Sequence, residues 1–194
     1  MAQKLQYLMM NDKKVIWTIG HSTREFEEFV SMLAAFQIQQ VIDIRRFPGS
    51  KRFPQYNKEI LGAALSTYGI RYAHMEALGG RRNPRPDSNN MAWRTKAFRG
   101  YADYMESDEF KKAITELEQL AITIRCAFMC TEAVWWSCHR ALVSDWLKVN
   151  DWVVMHIMSK EKAQEHPYTK AATIMHGELN YTARPNSPSP NQLF

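Results

Sequence analysis

The chain has 194 residues, 45% of them hydrophobic and 23% charged, the length and balance of a single globular domain with a sizeable core, which excludes the disordered, collagenous and membrane-spanning classes. The three cysteines, Cys126, Cys130 and Cys138, are too few and too unpaired for a disulfide framework and read as free thiols. The net charge of +5 is unevenly spread: from Arg45 to Arg99 twelve Lys/Arg face three Asp/Glu, a balance of +9, whereas the rest of the chain carries −4. Such a segment is either a solvated basic surface or a positive rim for a phosphate-bearing partner, because guanidinium forks match phosphate oxygens two at a time.

In chain order, Val15–Ile19 is a continuous apolar, β-branched run ended by Gly20, the signature of a strand buried on both faces. Ser22 or Thr23 is placed to cap a helix whose apolar face is Phe26, Phe29, Val30, Leu33 and Ala34. A second strand is expected over Gln40–Ile44, then a basic, proline-punctuated loop from Arg45 to Pro54. Helical spacing returns over Lys58–Tyr68 with Gly69 as its stop, followed by a third strand over Arg71–Leu78. Gly79-Gly80 opens a long irregular stretch to about Lys96, of the kind that is usually functional or mobile. Tyr101–Leu120 reads as one helix, or two joined at the Ser107-Asp108-Glu109 cap signal. A fourth strand is expected over Ile122–Met129, a helix from Ser137 to Asn150 and a fifth strand over Trp152–Ile157.

This reading divides the chain into an N-terminal extension (1–12), one α/β domain (13–160) and a polar C-terminal extension or tail (161–194), with Pro185–Phe194 the loosest part. The N-terminus lacks the apolar core and cleavage site of a secretory signal, and the chain has no run of about 18 apolar residues, so a cytoplasmic location without a membrane partner is expected. Strands alternating with helices imply a mostly parallel, Rossmann-like sheet of about five strands with helices on both faces. Such sheets bind ligands at the carboxyl ends of their strands. Gly20, His21, Ser22 and Thr23 follow the first strand; Asp43, Arg45 and Arg46 end the second; Gly79, Gly80 and Arg81 end the third; Cys130, Thr131 and Glu132 end the fourth; and the fifth carries His156.

These residues also carry a resemblance. T-I-G-H-S-T (18–23), V-I-D-I-R-R-F-P-G-S-K-R (41–52), G-I-R-Y (69–72), L-G-G (78–80), F-R-G-Y-A-D-Y-M (98–105), M-C-T-E (129–132) and C-H-R (138–140) are similar to the family called domain of unknown function 488. The resemblance spans most of residues 15–158, brings no established activity, and suggests a link to nucleotide or nucleic-acid metabolism. One stretch departs from the family's polar, proline-containing pattern: here it is Ala133-Val134-Trp135-Trp136-Ser137, whose tryptophans either stack on a planar ligand or cap the core.

The strongest chemical constellation is Cys130-Thr131-Glu132 with Cys138-His139-Arg140. In the first turn of a helix capped by Ser137, Cys138 would ionise more readily and Arg140 would bind an anion. Catalytic candidates are therefore Cys130, Glu132, Cys138, His21 and Asp43. Ligand-binding candidates are Gly20, Ser22, Arg45, Arg46, Ser50, Lys51, Gly79, Gly80, His139 and Arg140. No metal ligands are assigned, because consecutive Cys138 and His139 on a helix would point apart and the spacing is not that of a zinc finger; no cofactor is specified. Three hypotheses follow: an enzyme acting on a phosphate-bearing ligand, a non-catalytic nucleotide or nucleic-acid binding module, and a metal-binding or redox protein. Self-association is left open, and the expected partner is an anionic small molecule or nucleic acid.

Overall fold

A computed structural model describes residues 14–182; the expected extension at 1–12 and the tail at 185–194 lie outside the described residues. Five α-helices and eight strands alternate along them: β1 (Lys14–Gly20), α1 (Phe26–Ala35), β2 (Gln40–Asp43), α2 (Lys58–Ser66), β3 (Arg71–His74), α3 (Lys96–Met105), α4 (Asp108–Thr123), β4 (Cys126–Cys130), α5 (Arg140–Val149), β5 (Trp152–Ile157), β6 (Ala163–Glu165), β7 (Thr173–Met175) and β8 (Glu178–Asn180). The main sheet has the order β3-β2-β4-β1-β5-β6. Its first five strands are parallel, and β6 adds an antiparallel edge.

Strand alternation sorts the core into two layers. Ile16, Ile42, Phe128 and Cys130 face Tyr101, Phe110, Ile114, Leu117 and Leu142 from α3, α4 and α5. Trp17, Ile19, Val41, Ala127 and Met129 face Phe29, Leu33, Leu61 and Leu65 from α1 and α2. A mostly parallel α/β sheet with helices on both faces is thus the fold. From β1 the chain passes over β4 to reach β2, whereas from β4 it passes over β1 to reach β5. The two connections diverge, yet the junction of β1 and β4, where Gly20 and Cys130 are register partners, is closed by bonds from the His21 N–H to the Cys130 carbonyl and from the Ser22 N–H to the Thr131 carbonyl.

Several expected boundaries move. β3 stops at His74 rather than Leu78, because its partner β2 ends at Asp43; the Met75 N–H makes a last bond to the Asp43 carbonyl, and Glu76–Leu78 then coils into a 3₁₀ turn. The apolar run expected as a strand from Ile122 is divided, α4 continuing to Thr123 with Ile122 exposed and β4 beginning at Cys126. The cap expected of Ser22 or Thr23 falls instead to the Glu25 backbone. Ser107, by contrast, caps α4 as expected, its hydroxyl accepting from the Phe110 N–H at 3.2 Å. Beyond residue 160, β6 joins the sheet, and His166 and Tyr181 are buried. Among the described residues no helix is long and apolar enough to cross a membrane.

Candidate active site at the carboxyl ends of β2 and β4

A cavity of about 390 Å³ lies at the carboxyl ends of β4 and its other neighbour, β2. Its wall comes from the ends of β2 and β4, the Gly80-Arg81 segment, α3 and the approach to α5, and includes Arg45, Arg46, Tyr101, Cys130, Glu132, Cys138 and His139. The long loop after Gly80 is held in place by Asp103 on α3, whose carboxylate accepts from the Arg85 N–H at 2.8 Å and from Asn90 Nδ2 at 2.8 Å. Of this segment only Gly80 and Arg81 border the cavity.

Two polar clusters meet here, and they differ in how their atoms are used. The first is a closed network under the cavity. Asp43 is fully buried, and its carboxylate accepts from Arg45 Nη2 at 2.6 Å, Arg45 Nε at 2.9 Å, the Arg45 N–H at 3.0 Å and the Tyr72 hydroxyl at 2.7 Å. Arg45 also donates to the Tyr56 carbonyl at 2.7 Å and lies 3.3 Å from His21 Nε2. His21 Nδ1 is 2.9 Å from the Ser22 carbonyl and its ring stacks on Tyr56 at 4.0 Å. Burial, helped by the Arg45 charge, pushes the His21 pKa down to about 4. The neutral ring donates from Nδ1 to Ser22 and accepts at Nε2 from Arg45, so both nitrogens are taken. His21, Asp43 and Arg45, expected to act on or bind a ligand, are here engaged with one another.

The second cluster is open. Cys130, Cys138 and His139 are 8%, 3% and 9% exposed and all line the cavity. Cys130 Sγ lies 3.8 Å and Cys138 Sγ 3.6 Å from His139 Nδ1, while His139 Nε2 is 3.1 Å from the Ile44 carbonyl. Burial alone would raise the Cys138 thiol, but the Cys130 thiol, His139 and Arg140 together hold it well below the usual range. The neighbouring Cys138 sulfur and burial together hold Cys130 well above it.

The route to this arrangement corrects the expected helix start. Trp135–Ser137 forms a 3₁₀ turn, and α5 begins only at Arg140 with His139 as its cap residue. Trp135, the core-facing one of the two tryptophans, fixes the turn by stacking on His156 at 4.6 Å, and Trp136 is exposed. Cys138 is consequently extended (φ −132°, ψ 151°) and His139 helical (φ −58°, ψ −13°). That kink brings two consecutive side chains to one place, where a helix would have separated them.

Other expected residues have different partners. Arg140 is 1% exposed and ties β1 to the loop after β4, donating to Thr18 Oγ1 at 3.0 Å and to the Glu132 carbonyl at 2.5 Å. The Glu132 carboxylate pairs with neither Arg45 nor Arg140: Arg140 meets the carbonyl, and among the described residues the exposed carboxylate has no partner. Gly20 serves this junction, since a Cβ there would lie 1.7 Å from the Glu132 oxygen. Gly80 serves the other side, where a Cβ would stand 2.9 Å from His139 Nδ1. Gly79 packs on Arg46, Ser50 caps the Phe53 N–H, Lys51 is exposed, and Ser22 adopts φ 53° beside the Thr131 carbonyl. None of these four lines the cavity.

Sequence reasoning placed Arg81 at the strand ends but missed Phe47, Phe98 and Tyr101 as wall residues. Tyr101 sits in the F-R-G-Y run, the one signal that could have found it. It also missed the buried chain in which His156 Nε2 meets His166 Nδ1 at 2.9 Å and His166 Nε2 meets Asp145 at 3.0 Å.

The family model described as domain of unknown function DUF488 matches residues 25–147, more than half of the chain. The chain belongs to the DUF488 family. The matched span includes both polar clusters apart from His21, together with the Gly79-Gly80 turn and most of α5. No curated protein and no solved structure matches the chain.

Proposed function

We propose that this DUF488 protein is an enzyme acting on a phosphate-bearing ligand, a nucleotide or nucleic-acid component, with its reactive centre at Cys130, Cys138 and His139. The observation that carries this reading is the juxtaposition, in one cavity of about 390 Å³, of this buried sulfur–imidazole cluster with Arg46 and Arg81. The volume falls within the usual range of small-molecule sites, about 300–1,000 Å³. Arg46 is half-buried and Arg81 exposed, and neither has a carboxylate partner among the described residues, so both can take up phosphate charge. Phe98 and Tyr101 supply apolar wall for a planar group. Glu132, free of an ion pair at the rim, is suited to acid/base work.

The experiment is a turnover and binding screen across phosphate-bearing small molecules, nucleotides included. Cys138→Ser and Glu132→Gln are expected to abolish the turnover found while circular dichroism shows the fold intact, and Arg46→Ala with Arg81→Ala to weaken binding at least tenfold. Normal turnover in both Cys138→Ser and Glu132→Gln would show the assigned roles to be wrong.

One feature supports a second reading, a non-catalytic nucleic-acid binding module. Phe47 is 61% exposed and its ring lies 5.5 Å from the Arg46 guanidinium and 5.9 Å from that of Arg81. An exposed ring flanked by cations suits base stacking. Binding of single-stranded oligonucleotides that falls steeply with salt and is lost in Phe47→Ala, without turnover, would favour this reading.

A further inference from the structure

We propose that Cys130, Cys138 and His139 form a three-ligand site for a divalent transition metal, zinc above all, with its fourth position open to the cavity. The site lies in the same cavity as the proposed reaction and would supply its reactive group, but its existence is testable without any substrate.

Three observations carry it. The first is spacing. Zinc bonds of about 2.3 Å to sulfur and about 2.0–2.1 Å to imidazole nitrogen, at tetrahedral angles, place sulfur and nitrogen about 3.6 Å apart and two sulfurs about 3.8 Å apart. The sulfur–nitrogen distances are 3.8 Å for Cys130 and 3.6 Å for Cys138, and all three donor atoms lie within 4.8 Å of one another. The donors are thus already near the edges of a coordination tetrahedron.

The second observation is the state of the ring. His139 Nε2 is 3.1 Å from the Ile44 carbonyl, which can only accept, so that nitrogen carries the proton and Nδ1 presents its lone pair to both sulfurs. A carbonyl behind a ligating imidazole is the usual outer partner in metal sites. One nitrogen lone pair accepts a proton from one thiol at a time, whereas one cation takes the lone pairs of all three donors. The Arg140 N–H, 3.5 Å from Cys138 Sγ, adds a backbone donor to the same sulfur.

The third observation is the missing fourth side. Structural zinc sites are closed by four protein ligands, while catalytic ones keep a position for water or substrate. All three donors here line the cavity. Two thiolates balance the charge of a divalent ion, which makes the site compatible with the nearby Arg45 and Arg140. A metal there would polarise a ligand oxygen or lower the pKa of a bound water, while Arg46 and Arg81 hold the ligand's charge.

The test is elemental analysis of full-length protein purified without a metal-affinity column, paired with cobalt(II) titration of chelator-stripped, thiol-reduced protein. About one transition-metal ion per chain is expected for wild type and for Cys126→Ala, a remote cysteine in β4. Less than a tenth of that is expected for Cys130→Ser, Cys138→Ser and His139→Ala, with circular dichroism confirming that each is folded. Cobalt should give the intense visible bands of a tetrahedral thiolate complex in wild type. Wild-type protein with neither bound metal nor those bands, or folded ligand variants that keep both, would overturn the proposal. Stoichiometric metal in a protein that turns over no phosphate-bearing ligand would sink the proposed function and leave the metal site standing. Turnover by a protein that holds no metal as purified and binds no cobalt would do the reverse.

Discussion

The two polar clusters at the carboxyl end of this sheet sit on neighbouring strands and each hold one histidine, yet they are built in opposite ways. In the Asp43–Arg45–His21 network, both carboxylate oxygens are engaged, Arg45 is shared among Asp43, Tyr56 and His21, and both His21 nitrogens have partners. In the Cys130–Cys138–His139 cluster, two sulfurs converge on one nitrogen lone pair and the donors border a cavity. A polar cluster that satisfies itself stabilises a fold, because breaking a buried pair leaves an uncompensated charge. One left under-satisfied beside a cavity is available to a ligand.

The comparison can be broken most severely at the junction both clusters share. Gly20→Ala would drive a Cβ into the Glu132 carbonyl, a backbone group that cannot rotate away, so a loss of about 4 kcal/mol or more is expected, read by urea denaturation. Within the closed network, Tyr72→Phe removes a 2.7 Å hydrogen bond to a buried carboxylate and is expected to cost about 1.5–3 kcal/mol by the same assay.

Acid sharpens the comparison in another way. Burial lowers His21 to about 4, and burial together with His166 and Arg140 lowers His156 to about 2, from an ordinary value of 6.5. The unfolded chain therefore binds more protons below pH 6.5 than the folded one. The stability these neutral rings permit is complete above pH 6.5 and is lost as pH falls, through 4 for His21 and on towards 2 for His156. Unfolding free energy measured between pH 6.5 and 4 should decline in wild type and decline less in a His21→Asn, His156→Gln double variant. Equal slopes would mean that these rings are not held neutral.

The smallest effect belongs to the rim. Arg46→Ala and Arg81→Ala, at half-buried and exposed positions, should change stability by no more than about 0.5 kcal/mol each while weakening anion binding, a split that isothermal titration and denaturation read together.

Much of this architecture was legible in the residues. Val15–Ile19 ended by Gly20 announced a central strand because a strand buried on both faces needs a continuous apolar run, and the parallel-sheet rule then gathered the strand-end residues to one edge. Ser107 announced a helix start because its capping is local. The start of α5 was not legible, since Ser137 looks like a cap and only the packing of Trp135 on His156 inserts the 3₁₀ turn that delays the helix to Arg140. That tertiary contact decides whether Cys138 and His139 diverge or converge. Saturation was hidden for a related reason: His21, Asp43 and Arg45 look as reactive as Cys138 in sequence, and only their rotamers reveal that they satisfy one another. The buried Asp145–His166–His156 chain joins a helix to segments 11 and 21 residues further on, and no local pattern announces it.

The division between a closed cluster that holds the fold and an open one that does not is tested most directly by thermal denaturation of Asp43→Asn and Cys138→Ala side by side, both in chelator so that bound metal does not contribute. Losing the Arg45 partner should cost about 3–5 kcal/mol, a fall in Tm of about 6–20 °C for a chain of this size. Cys138→Ala should lie within about 4 °C of wild type, about 1 kcal/mol. A wild-type melting curve for Asp43→Asn together with collapse of Cys138→Ala would reverse the roles of the two clusters and contradict the account.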